Sequence, residues 1–227
     1  MELEYSVKRS AKRRKLTITV ERDRKIIVHA PESTSQKKIE EIVESKRQWI
    51  FEKINAGEKY AKRPHPPGKE IVDGESALYL GRNYRIELVA KGLKQVEFDY
   101  KFRVPKSFSS KRKEVLKEWY IARAKEKINP RVKRFSKEIG VEYNLSKIVD
   151  NKYRWGSCTP QNNINLNWRL IKAPMFVIDY VIVHELAHLR EPNHDNKFWN
   201  IVRSANPKAD KAKAWLKENG GLLEEVI

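Results

Sequence analysis

Cysteine is almost absent. Cys158 is the only one among 227 residues, so no disulfide can form within the chain, which fits a reducing compartment. Long apolar runs are missing too. No stretch approaches the ~18–20 apolar residues of a membrane-spanning helix, and the first eight residues lack the apolar centre of a signal peptide. These absences predict a soluble, cytoplasmic protein with no membrane partner, and a monomer as the simplest state. There is no glycine-rich phosphate loop, no carboxylate-rich set suited to Mg²⁺, no internal repeat and no low-complexity segment. Acidic residues are in deficit, 30 against 48 Lys and Arg, for a formal net charge of +18. That balance favours anionic partners such as nucleic acid or nucleotides, although a solvated basic surface produces the same number.

Histidine is scarce as well, and its distribution carries the chemistry. Of five histidines, three fall in the stretch from Val181 to His194. His184 and His188 are four residues apart, so on a helix they share one face and can bind one metal ion. Glu185 lies beside the first, where its carboxylate can reach a metal-bound water without being a ligand. His-Glu-x-x-His on a helix is a zinc-hydrolase signature with that mechanical basis. A helix running on would carry His194 about 9 Å beyond His188 at 1.5 Å per residue. Pro192 disfavours helical geometry at Glu191, so the helix should end there, and Asn193 suits a turn. The chain can then double back and present His194 as a third ligand. Three protein ligands with one open position is the catalytic arrangement of zinc. One Zn²⁺ is expected, with another first-row transition metal as the alternative.

Around this stretch the chain reads as α+β. Alternating segments up to residue 30 predict strands, with a turn at Arg22–Lys25. Lys8, Arg9, Lys12, Arg13, Arg14 and Lys15 make the densest basic cluster, either a phosphate grip or a solvated hairpin end. Ser33 and Gln36 have capping-box spacing ahead of one helix bearing Ile39 to Ile54, which Gly57 could close. A proline-rich connection over 62–68 contains His65, expected in solvent. Strands resume over 70–104. Composition changes near 105–112, after which helices dominate. This predicts a mostly antiparallel β domain with one helix over 1–108 and a helical hydrolase domain over 109–227. Asn129-Pro130 should end one helix and start another, closed by Gly140. Residues 164–170 alternate strictly, with Ile164, Leu166, Trp168 and Leu170 on one face and Asn165, Asn167 and Arg169 on the other. Pro174 should open the histidine helix, and Asp195 should cap the next, bearing Phe198, Trp199 and Val202.

Tyr153-Arg154-Trp155-Gly156-Ser157-Cys158, then Asn165 to Leu170, then His184-Glu185-Leu186-Ala187-His188 and Pro192-Asn193-His194 with Phe198-Trp199 together resemble the YgjP-like metallopeptidase family. The match is dense over about 150–200 and looser over almost the whole chain. The resemblance implies a minimal zincin-like fold for the C-terminal half, helices packed on a small sheet, and a distant relation to SprT and WLM proteases. It makes His184, His188 and His194 the metal ligands and Glu185 the catalytic base. Metzincins place a glycine midway to the third histidine, where this chain has Glu191. In gluzincins the third ligand is a downstream glutamate, which makes Glu218, Glu224 and Glu225 the fallback set.

The leading expectation is a zinc-dependent metallopeptidase in which a Glu185-activated, zinc-bound water attacks a peptide carbonyl. Arg154 is a candidate for stabilising the developing oxyanion, or a structural residue beside Trp155. If 164–170 forms a sheet edge, a peptide could add to it, and Asn165, Asn167 or Arg169 would touch substrate. Cys158 is either a fourth ligand or a small half-buried residue. Two alternatives stand beside this reading: a metal-dependent nucleotide pyrophosphatase, and a nucleic-acid-associated protein with a little-used metal site.

Overall fold

The computed structural model describes residues 3–11, 13–20, 25–56, 71–151 and 154–224. The expected turn at Arg22–Lys25, the closing Gly57 and the proline-rich connection with His65 fall wholly or mostly outside them. The chain divides into two compact units, Met1–Pro64 and His65–Ile227.

In the first unit β1 (Tyr5–Ser10), β2 (Thr17–Val20) and β3 (Ile26–Pro31) form a sheet of order β1-β3-β2. Ile26, Val28 and Ala30 alternate onto one face and meet Ile39, Val43 and Ile50 in a small buried core. Those three come from α1 (Gln36–Ser45) and α2 (Arg47–Ala56). The single expected helix is thus broken at Lys46, whose N–H reaches back to the carbonyls of Ile42 and Val43. The cap is Ser35, not Ser33, and its hydroxyl accepts from the Lys38 amide. From the basic cluster, Arg9 donates to the carbonyls of Glu32 and Thr34, and Arg13 to the Thr17 hydroxyl.

The second unit begins with β4 (Ser76–Tyr79), β5 (Arg82–Val89), β6 (Glu97–Phe98) and β7 (Phe102–Pro105), in the order β4-β5-β7-β6. Next come α3 (Arg112–Ile139), β8 (Leu145–Val149), β9 (Gly156–Cys158) and β10 (Asn163–Asn167). A 3₁₀ turn, Trp168–Lys172, leads into α4 (Met175–Ala187), followed by α5 (Asn196–Ala205) and α6 (Ala209–Glu224). The α+β class is borne out, but the sheets are mixed. β1 with β3, β5 with β7 and β8 with β10 pair in parallel. The compositional change near 105–112 falls inside this unit, where Tyr79 and Phe102 share one continuous core with Tyr120 of α3 and Ile182 of α4.

Pro130 does not divide α3. The helix runs unbroken through it, with Leu116, Tyr120, Ala124, Ile128, Val132 and Phe135 forming one buried stripe. An interior proline costs about 3 kcal/mol. Full burial of each large apolar side chain returns about 1.5–3 kcal/mol, and the stripe has such residues on both sides of Pro130. Packing therefore outweighs the local preference. Gly140 ends the helix in the left-handed conformation at φ 72°, as its position predicted. Arg131 ties α3 to α4 through a two-pronged pair with Asp179, at 2.7 and 3.1 Å.

The segment feeding α4 is held from another side. Leu80 (φ 48°) and Gly81 (φ 81°) make the tight β4–β5 turn. Their amides donate to the carbonyls of Ile171 and Lys172 at 3.0 and 2.8 Å. A Cβ at Gly81 would lie 2.5 Å from Pro174 Cγ and 3.1 Å from its Cα. Gly81→Ala should therefore destabilise the protein by about 1–3 kcal/mol through strain and overpacking. Denaturant melts would check this, and an unchanged midpoint would mean that the turn does not brace α4. Among the described residues, no helix is long and apolar enough to cross a membrane.

Candidate metal centre

α4 is apolar almost all round, which is why it is a core helix. Val177, Ile178, Val181, Ile182, Val183, Leu186 and Ala187 are all buried. Its last turn carries the chemistry. The regular helix ends at Ala187, earlier than Glu191. His188 keeps helical angles as the C-cap, and the amides of Leu189, Arg190 and Glu191 turn back onto the carbonyls of Leu186 and Ala187. The tightened turn precedes Pro192, and two residues later His194 stands at the entrance to α5. Asp195 caps that helix, accepting from the Phe198 amide at 3.0 Å.

The doubling back brings three imidazoles together. One ring nitrogen from each of His184, His188 and His194 lies within 4.8 Å of the others, and among the described residues no other His, Cys, Asp or Glu belongs to the group. His194 Nε2 and His184 Nε2 are 3.1 Å apart. Two ligands of a tetrahedral zinc ion, each at ~2.0–2.1 Å, stand roughly 3.3 Å apart, so this spacing fits such an ion. His188 Nδ1 donates to the Glu191 carbonyl at 3.3 Å, which leaves its Nε2 lone pair for the centre. His184 Nδ1 is buried without a hydrogen-bond partner, so that ring's interactions lie on its Nε2 side. Burial lowers the pKa of His184 to about 3, helped by His188, His194 and Lys213. His188 is lowered by burial and by His194. Both rings are neutral at pH 7, the form a metal requires.

Phe198 is the floor of the site. It is fully buried, and its ring centroid lies 5.0, 4.6 and 4.7 Å from those of His184, His188 and His194. Trp199 flanks the rim, 6.1 Å from His184 and 5.9 Å from His194. The sequence showed these two as the apolar face of a helix and as part of the family resemblance, with no role at the histidines. Phe198→Ala should cost about 3–5 kcal/mol of stability. A smaller loss in thermal or denaturant unfolding, below about 1 kcal/mol, would show that the floor is not packed.

Glu185 stands outside this group. It is 8% exposed, and its pKa is pushed up to about 7 by burial, opposed by a hydrogen bond from the Cys158 amide and by the charge of Arg154. Arg154 itself is exposed. Gly156 packs directly on the Glu185 side chain. The one cue to this in the sequence is a glycine inside a strand-like run, which often marks close approach. Cys158 stands outside the donor group, and its Sγ contacts the Thr159 carbonyl. Glu218 and Glu224 are likewise outside it, while Glu225 lies beyond the described residues.

The other polar candidates lie in the scaffold of this region. β10 ends at Asn167 and is the central strand of the sheet β8-β10-β9, so it offers no free edge, contrary to the expectation for 164–170. Asn165 Nδ2 donates to Ser157 Oγ at 3.3 Å, bracing β9. Asn167 is 1% exposed. Its amide donates to the carbonyls of Asn151 and Arg154, and its Oδ1 accepts from the Arg169 amide. Arg169 and Lys117 both pair with Asp150. Burial alone would raise the Asp150 pKa, but those two hydrogen bonds more than offset it and hold the carboxyl well below the usual range.

A family model described as YgjP-like, metallopeptidase domain, matches residues 14–219. No curated protein matches the chain. Among solved structures, the metallopeptidase zymogen of Pyrococcus abyssi abylysin is similar at 19% identity and a TM-score of 0.36, covering 38% of this chain and 89% of that one. The metallopeptidase zymogen of Methanocaldococcus jannaschii jannalysin is similar at 21% identity and a TM-score of 0.33, covering 38% and 90%.

Proposed function

Because the chain belongs to the YgjP-like metallopeptidase family, we propose that it is a zinc-dependent peptidase, with His184, His188 and His194 as ligands and Glu185 as general base. The observation that carries this reading is the convergence of three imidazole donors with a carboxylate beside them but outside their group. Imidazole-only sites favour zinc and its neighbours over Mg²⁺ or Ca²⁺. When bound, zinc supplies Lewis-acid polarisation of the scissile carbonyl and lowers the pKa of water towards ~7.

The chain's own residues do the rest. His188 is oriented by its hydrogen bond to Glu191, and all three rings rest on Phe198. Glu185 takes a proton from the attacking water and returns it to the leaving amine nitrogen. Its raised pKa keeps proton uptake and release close to neutral pH. The positive charge of Arg154 favours the ionised form of Glu185, and the same charge suits an oxyanion at the attacked carbonyl.

The test is to load the purified protein with one equivalent of zinc and incubate it with an unfolded protein, with and without chelator. A nucleoside triphosphate is assayed in parallel. Chelator-sensitive peptide cleavage supports the proposal. Phosphate release without peptide cleavage would favour phosphoanhydride hydrolysis, the reading that the net charge of +18 supports.

A further inference from the structure

Glu185 is held by β9 as well as by its own helix. Gly156, at the start of β9, has no positive φ, unlike Gly74, Gly81, Gly92 and Gly140. Its backbone is therefore open to any L-residue, and a turn does not explain the glycine. What explains it is space. A Cβ at position 156 would lie 2.6 Å from Glu185 Cγ, 2.7 Å from Oε1 and 2.9 Å from Cδ. Real Cβ atoms essentially never come within 3.0 Å of another group, and here three atoms of one side chain are inside that limit. Glu185 has little room to retreat, being 8% exposed on a helix where Ile182, Val183, Leu186 and Ala187 are buried.

The same strand supplies a donor. Backbone amides alternate in direction along a strand. The Thr159 amide donates to the carbonyl of Asn163, the first residue of β10. The Cys158 amide points the other way and donates to the Glu185 carboxylate. β9 is aligned for this by its pairing with β10, Cys158 opposite Ile164 and Gly156 opposite Leu166, and by the Asn165 to Ser157 hydrogen bond.

We infer that Gly156 is a positioning residue for Glu185: its missing side chain is the space the carboxylate occupies, and the Cys158 amide two residues on holds the carboxylate there. A carboxylate held by one amide keeps lone pairs free to take a proton, in a fixed direction. This inference rests on the reading of Glu185 as general base. Position 156 acts through Glu185, so its effect belongs to turnover and not to metal or substrate binding.

The test compares Gly156→Ala in the native and Glu185→Ala backgrounds. With Glu185 present, the substitution should lower kcat roughly 100-fold, the low end of what a general base contributes. Zinc per chain and KM should stay unchanged. It should also lower the melting temperature of the zinc-free protein. In the Glu185→Ala background that loss should vanish, because the atoms it collides with are gone, and such coupling is expected only between residues in contact. If Gly156→Ala alone fails to fold, recovery of folding in the double variant supports the inference, and failure of both overturns it. An equal loss in the two backgrounds, or a kcat within roughly threefold of native, would also overturn it. Full activity of Glu185→Gln would overturn the general-base reading beneath it, and that outcome is read separately from the stability coupling.

Discussion

Glu185→Gln should retain its metal and lose hydrolysis by roughly 100- to 10,000-fold, the range a positioned general base contributes. Glutamine has nearly the same shape as glutamate. It fits the space left by Gly156, and its carbonyl oxygen can still accept from the Cys158 amide. The fold and the three histidines are therefore undisturbed. What disappears is the ability to take a proton from water and return it to the amine. The variant should bind one zinc per chain and melt at or above the native temperature, because it no longer buries an ionisable group. Measured zinc content and kcat together decide the matter. A variant with full zinc and full activity would place the base elsewhere.

His194→Ala should weaken zinc binding by at least roughly 100-fold, the upper end of what even an outer-shell partner costs. His194 is exposed and precedes α5 instead of lying within a helix. Its removal should change folding stability by no more than about 0.5 kcal/mol, as for other surface positions. The loss would thus report coordination and not collapse of the site. A competition titration against a chelator of known affinity gives the number. Unchanged affinity would point to a different third ligand, for which Glu218 and Glu224 are the described downstream candidates.

The histidine cluster was legible because its logic is local. Two ligands lie one helical turn apart, and a proline before the third rules against a helix continuing to it. The cap at Asp195 was readable for the same reason. What the sequence left hidden depends on contacts between distant segments. The break at Asn129-Pro130 follows from local preference, yet α3 runs through it because the buried stripe from Leu116 to Phe135 holds the helix together. The alternating run 164–170 looked like one exposed-edge strand. It is instead a short central strand followed by a 3₁₀ turn, and Asn167 is the buried cap between them. Strand order cannot be read from alternation, which is the same at an edge and at a centre. For a related reason the glycine at 156 hinted at a close approach without naming Glu185 as its partner, since that contact exists only where β9 packs against α4.

The central claim is that His184, His188 and His194 hold one metal ion and leave a position open. X-ray absorption at the zinc edge of the one-to-one zinc-loaded protein tests it most directly. The account predicts three imidazole nitrogens at ~2.0–2.1 Å, one further light-atom ligand and no sulfur. A shell containing sulfur at ~2.3 Å, which only Cys158 or a methionine could supply, or fewer than three imidazoles, would contradict it.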